Sequence, residues 1–457
     1  MAVTIAQKPL YNILPIGQQV MFSVSEDTIV ATMFKVKFVA EVHVSNEPII
    51  INSSTPIGTF KTTPNNAGVG IFDLRPVLET FVSPDNEPSF YSQYKGIQQS
   101  VATFPIHLID KFSLSNNSVK YFAIRFMVEY ATSATASVGA PDNDVDSEAY
   151  TMFNGVLQYD DVLTKSLFGN NYGYNLDAFY LDDSSAKFLS NAPTTQYARL
   201  TDYGTLPFLN FLPDSTDAVT TFILKYYNSS DSELGNETVQ NTTATGGAVV
   251  AGSSSNTRIN YFGGFPANLD GWSTVWDANK ANISYYTIQD SGGDSALYRI
   301  NVICPNERGY EGIRLAWLNQ WGVWDYYTFN MKSTRTVTTN RTSYTQMSGT
   351  WNESTFKIAG YKGGKKNFRV NSTERLTLNT DFVTEAEGVW LEELINSNEV
   401  YIVNESSTDV SNSITNKYID PVVLTTSSFV RKTIANDKLM QYTIELEKSK
   451  MQRTQSV

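Results

Sequence analysis

Few side chains in this sequence are equipped for catalysis, and their spacing narrows the options further. The chain has two histidines, His43 and His107, separated by 64 positions, and one cysteine, Cys304. A histidine-based zinc site needs ligands gathered from short spacings, and a nucleophile triad needs a histidine beside its Ser or Cys. Neither pattern is present. Cys304 lies in "YRINVICPN", where it alternates with Ile300 and Val302, so it reads as a core-facing strand residue. A single cysteine also rules out an internal disulfide framework. The stretch "DNDVDSE", Asp142 to Glu148, places Asp at alternate positions, as a calcium loop does at its start. Ser147 stands where such a loop needs Gly, and Phe153 where it needs the bidentate Glu. A solvated acidic loop is the expectation there. Asp160-Asp161 and Asp182-Asp183 offer paired carboxylates, but neighbours on a strand face opposite sides and do not span a sugar cleft. The glycines of "GGFPANLDGW" and "KGGKKNF" lack phosphate-loop spacing. Lys362, Lys365, Lys366 and Arg369 form a small basic group that reads as a solvated turn. The expectation is therefore no enzyme, with no catalytic residue, cofactor, metal or small-molecule substrate.

The densest functional signal is apolar. "IRLAWLNQWGVWDYYTF", Ile313 to Phe329, holds three of the seven tryptophans and three further aromatics. Ile313, Leu315 and Trp317 alternate with Arg314, Ala316 and Leu318, a strand with one buried face. Asn319 to Gly322 reads as a turn, and Tyr326 to Phe329 begins the return strand. Three readings compete for this hairpin: core packing, a protein interface, and a sugar-stacking platform. The geometry of a strand followed by a turn suggests a split. Trp317 is expected in the core with Trp390 and Phe72. Trp321, Trp324 and Tyr326, at and after the turn, are the candidate interface residues.

The elements around these residues are mostly strands. Hydrophobic residues make up 41% of 457, enough for a real core, while charged residues are only 18%. Ser, Thr, Asn, Tyr and Phe fill the difference, a mix that favours strands and loops. Residues 29–44 and 120–130 show period-two alternation. Asp73, Pro76 and the apolar Val77, Leu78 and Phe81 predict a short helix. "YTMFNGVLQY" carries a hairpin turn signal at Asn154-Gly155. "TEAEGVWLEELINS" predicts a helix with Thr384 as N-cap and Glu387 completing a capping box, with Ala386, Val389, Trp390 and Leu394 as its apolar stripe. Residues 131–150 read as a linker or long loop, and 228–257 as a polar, mobile insert. The fold expected is mainly β, two or three antiparallel β-sandwich domains with a few short helices: a sandwich over 1–130, a central β domain over 131–335, and an α+β domain over 336–457. No fixed-period repeat is visible. Net charge is −12, which argues against a direct nucleic-acid role. No apolar run is long enough for a membrane span, and no signal peptide is evident at the start.

Several segments, taken in order, resemble a family of virion structural proteins of tailed bacteriophages: "PNNAGVGIFDLRPVLETFV", "VEY" with the later "NGVLQY", "KFLSNAP", "LAWLNQWGVWDYYTF", "VWLEELINSNEVYIV", and "YIDPVVLTT" with "LMQYTIELE". They span roughly residues 60 to 446. The resemblance implies a tail or baseplate protein that assembles into a homo-oligomeric ring, contacts other virion proteins or fibres, and resides in the virion. A neck, collar or capsid-surface protein is the nearest alternative, and a carbohydrate-binding receptor-recognition protein is the alternative from another class. The polar insert and the "WGVWD" turn depart from the family pattern.

Overall fold

The structure, a computed structural model, describes residues 3–49, 51–88, 93–94, 97–98, 105–158, 179, 186–209, 221–240, 258–293, 295–303, 309–403, 419–430, 440–450 and 452–453. Among the described residues it is mainly β, with 46% strand against 12% helix, and the strand pairs are antiparallel except for two. The chain divides into two compact units. The first holds residues 1–303 with 318–325, and the second holds 304–317 with 326–457.

The first unit contains two sandwich-like cores. In one, a sheet of three strands (Thr4–Gln7, Met21–Ser25, Val69–Asp73) faces a six-stranded sheet centred on Val119–Ala131 and Phe34–Ser45. Those two long strands pair antiparallel from Tyr121↔Ser45 to Ala131↔Phe34. Because side chains alternate across a strand, Phe122, Ile124, Phe126 and Val128 all point inward and are fully buried. Across the gap, Phe22 and Phe72 meet Phe126 with ring centroids 5.4 and 5.6 Å apart, a usual spacing for packed aromatics. In the other core, a five-stranded and a three-stranded sheet enclose Phe112, Phe188, Phe208, Phe222 and Phe262, with Phe208–Phe222 centroids 5.1 Å apart and Phe222–Phe262 5.2 Å apart.

Several expectations are corrected here. The boundary expected at 130 falls inside the strand Val119–Ala131, and the one expected at 335 falls inside the strand Thr334–Gln346. Residues 27–32 form a helix, not the start of a strand. The Glu26 side chain caps it by accepting from the backbone N–H of Ile29, and the strand starts only at Phe34. Within 131–150, Asp142–Asp146 is a strand. Within 228–257, Glu233–Gln240 pairs along the whole of Thr221–Tyr227. The turn between them is held by Asn228, whose side-chain oxygen accepts from Ser230 N (2.9 Å) and Ser232 N (3.0 Å). Residues 241–257 lie outside the described residues, as do Cys304, Asp160-Asp161 and Asp182-Asp183. Asn154-Gly155 makes no hairpin among the described residues. Tyr150–Phe153 pairs instead with Val119–Phe122 and, in parallel, with Ile13–Pro15.

The second unit is one eight-stranded sheet with a helix, Glu385–Asn396. The capping box is present as expected: Glu387 N donates to the Thr384 hydroxyl and Thr384 N donates to the Glu387 carboxylate. The buried stripe is Gly388, Trp390, Leu391 and Leu394. Ala386 and Val389 face solvent instead, so the helix is rotated relative to the expected stripe. Trp390 packs on Trp317 at 5.1 Å and on Tyr327 at 6.1 Å, which fastens the helix to the sheet.

Candidate interaction surface

The core residues expected from the sequence, Trp317, Trp390 and Phe72, are all buried. The strand Ile313–Leu318 is buried on both faces, Arg314 and Ala316 included, where a single buried face was expected.

The three expected interface residues are not on a surface. Trp321, Trp324 and Tyr326 are 3%, 0% and 4% exposed. The turn segment Leu318–Asp325 belongs to the first unit and is enclosed by it. Trp321 packs on Phe179 at 4.7 Å and on Phe153 at 6.5 Å. Trp324 stands edge-on to His107 at 4.9 Å and donates its indole N–H to the Asp85 carbonyl at 2.8 Å. Asn319 braces the turn by accepting from Trp321 N at 2.9 Å and donating to the Leu189 carbonyl at 2.9 Å. Tyr326, in the second unit, lies under the buried guanidinium of Arg314, which is 5.2 Å from the ring and donates to the Thr328 hydroxyl at 2.9 Å. A turn is usually at a surface because its backbone needs water. Here protein groups replace the water: Val156 N donates to the Gln320 carbonyl at 2.6 Å.

Among the described residues, His43, Asp85 and the carboxylates of Asp142–Asp146 have the following surroundings. His43 is buried on a central strand with Nδ1 2.8 Å from the Ser54 hydroxyl. Its Nε2 has no hydrogen-bond partner among the described residues, so no carboxylate orients the ring as a triad requires. Desolvation holds its pKa below the usual imidazole value. The buried Asp85 carboxylate accepts from Asn116 N (2.9 Å), Asn117 N (2.7 Å), the Ser118 hydroxyl and the Tyr261 hydroxyl (3.0 Å). That is full satisfaction of a loop-bracing acid. Asp142, Asp144 and Asp146 are spread along a strand, where alternate side chains stand about 7 Å apart instead of converging. Arg125 takes Asp146 at 2.7 Å and Asp144 at 3.6 Å. Among the described residues there is no group of three or more His, Cys, Asp or Glu placed to hold a metal ion.

Exposed apolar and basic residues gather on a ribbon of the second unit. Thr334–Gln346 and Gly364–Asn379 form a two-stranded ribbon in register from Thr334↔Thr377 to Gln346↔Gly364. Near its base the second strand also pairs with Thr443–Lys448 and with Gln452–Arg453. Beyond Asn371, toward the tip, the two strands pair only with each other among the described residues. Neither face of Thr334–Ser343 is buried. The tip is a closed turn: Thr350 N donates to the Lys357 carbonyl (3.0 Å) and Ala359 N to the Ser348 carbonyl (2.9 Å). It carries Met347, Trp351, Phe356, Ile358 and Tyr361, all exposed, with Trp351 at 82%, Tyr361 at 80% and Ile358 at 76%. Single exposed apolar residues need no explanation, whereas five exposed on one turn form the kind of patch that is found at contact sites.

The ribbon is also electrically distinct. Residues 334–379 contain eight Lys or Arg and two Asp or Glu, a net +6 within a chain of −12. The expected basic group lies here. Lys365 and Lys366 are exposed, Lys362 and Arg369 are half-buried, and the Lys362 ammonium is 5.8 Å from the Tyr361 ring centroid. What reads as a solvated turn is the basic flank of an aromatic tip. The signal available in the sequence was this local excess of positive charge, not periodicity.

Comparison with known protein families and with curated proteins finds no match to this chain.

Proposed function

We propose that the chain is a non-enzymatic structural component of a tailed-bacteriophage particle, a tail or baseplate protein that builds a ring and joins neighbouring tail proteins or fibres. The observation that carries this reading is the exposed ribbon with its aromatic tip. A two-stranded ribbon on its own is marginally stable in water, and five exposed apolar residues at its end are a liability unless something covers them. An arm of this kind suits a protein that works by being held between others. The sandwich cores that fill the first unit suit a rigid block. The order of the sequence segments that resemble phage virion proteins supports the same role, and a neck or collar position fits it equally well. Location in the virion, after assembly in the host cytoplasm, is part of the proposal.

Two measurements test it together. Quantitative mass spectrometry of gradient-purified phage particles is expected to find the chain at several copies per particle. Assays on polysaccharide, peptide and nucleotide panels are expected to stay at background. Absence from particles, or turnover abolished by changing one Asp or Glu, would overturn the reading. Sugar turnover of that kind would favour the carbohydrate alternative, for which the exposed Trp351 and Tyr361 rings would be the platform.

A further inference from the structure

Resting on the assembly role proposed above, we infer that the ribbon tip docks on the acidic first unit of a second copy of this chain. Three properties of the tip point to that occupant.

The first is charge. The first unit contains sixteen Lys or Arg and thirty Asp or Glu, a net −14, against +6 on the ribbon. Opposite fields of this size steer association and fix orientation, and they are screened over about 8 Å at physiological salt. The second is area. A specific interface buries about 800 Å² on each partner. Trp351, Phe356 and Tyr361 together present roughly 500 Å² at about 150–250 Å² per aromatic, before partial burial is discounted. Met347 and Ile358 extend the patch toward the required size. The third is symmetry. A knob on one unit and its acceptor on another unit form a heterologous, head-to-tail contact, which closes into a ring when the rotation between copies permits. Both halves of the contact are then present on every copy, so one gene product suffices.

The aliphatic share of the tip favours protein over nucleic acid. Met347 and Ile358 offer no stacking face for a base, whereas side chains of this kind suit the apolar surface of a protein partner. Trp351 and Tyr361 are the side chains most enriched at interface anchors, and the flanking Lys357, Lys362, Lys365 and Lys366 would sit at the polar rim.

Mass photometry and sedimentation velocity of the purified full chain test this at a series of salt concentrations. Wild type should self-associate and should dissociate as salt is raised. The double variant Trp351→Ser with Tyr361→Ser, and separately Lys365→Glu with Lys366→Glu, should raise the apparent dissociation constant by about tenfold or more. Their melting temperatures should match wild type, since the altered residues are exposed. Variants that assemble like wild type would overturn the tip as the contact and leave the ring-building role standing. Wild type that stays monomeric at every concentration would overturn the inference. The particle content measured above would then decide the broader role separately. The same protein is titrated with a single-stranded DNA oligonucleotide and with anionic phospholipid vesicles. Tip-dependent binding to either, by a chain that remains monomeric, would also overturn the inference.

Discussion

Gly322→Ala should prevent the first unit from folding stably. Gly322 has φ +70, a region where any residue with a Cβ is strained by about 1–2 kcal/mol. The larger effect is steric. A Cβ built on Gly322 would lie 1.6 Å from the Asn154 carbonyl oxygen and 2.6 Å from its carbon. Both are backbone atoms, so no side-chain rotation relieves the clash. The turn and residues 153–156 must separate, which strips Trp321 from Phe153 and breaks the Val156 N to Gln320 carbonyl bond. The loss should exceed about 4 kcal/mol, the range reserved for severe core disruption. Gly271→Ala is the control. Gly271 also has positive φ, at +91, but nothing lies within 4 Å of its added Cβ. It should cost only the backbone term. Denaturant unfolding followed by tryptophan fluorescence compares the two, and equal losses would show that the Asn154 contact is not formed.

Trp324→Ala should destabilise the fold by about 3–5 kcal/mol, the usual cost of emptying a large aromatic site. Removing the indole leaves the Asp85 carbonyl without its 2.8 Å donor and His107 without its edge-on partner. An orphaned buried acceptor adds about 1–3 kcal/mol. Trp321→Ala should fall in the same range because its ring is wedged between Phe179 and Phe153. Trp351→Ala should change stability by less than about 0.5 kcal/mol, since its ring is 82% exposed. The pattern reverses the assignment that the sequence suggested, in which Trp321 and Trp324 were the dispensable residues and the aromatic turn was the contact. Thermal melts on the three single variants decide it.

The reason for that reversal is physical. Trp317 was legible because it shares a strand face with the apolar Ile313 and Leu315, whereas the burial of the opposite face, with Arg314 and Ala316, was not. The Thr384–Glu387 capping box was legible because it spans four residues. Trp321 lies in a turn and Trp324 just after it, and a turn by itself predicts exposure. Their burial depends on Asp85, His107, Phe153 and Phe179, more than 140 positions away in the chain, and no local pattern encodes those partners. The ribbon failed in the opposite sense. Its strands are rich in Thr, which suits strands, but neither face is buried, so the period-two apolar signal that marks a half-buried strand is missing. Its tip, "TWNESTFKIAGYKGGKKNF", scatters single apolar residues among polar ones and reads as a loop. Only the fold brings Trp351, Ile358 and Tyr361 onto one closed turn. The mainly β class was readable from composition and alternation, while the strand pairing across residue 130 was not, because pairing partners are long-range.

Under the proposed role, the folded chain enters a phage particle through its aromatic arm. The direct test is incorporation. A phage carrying wild-type protein is compared with one carrying Trp351→Ser and Tyr361→Ser, and the chain is quantified in gradient-purified particles. The variant should accumulate in infected cells as soluble protein with a wild-type melting temperature, yet be lost from particles by about tenfold or more. A folded variant found in particles at the wild-type copy number would contradict the account.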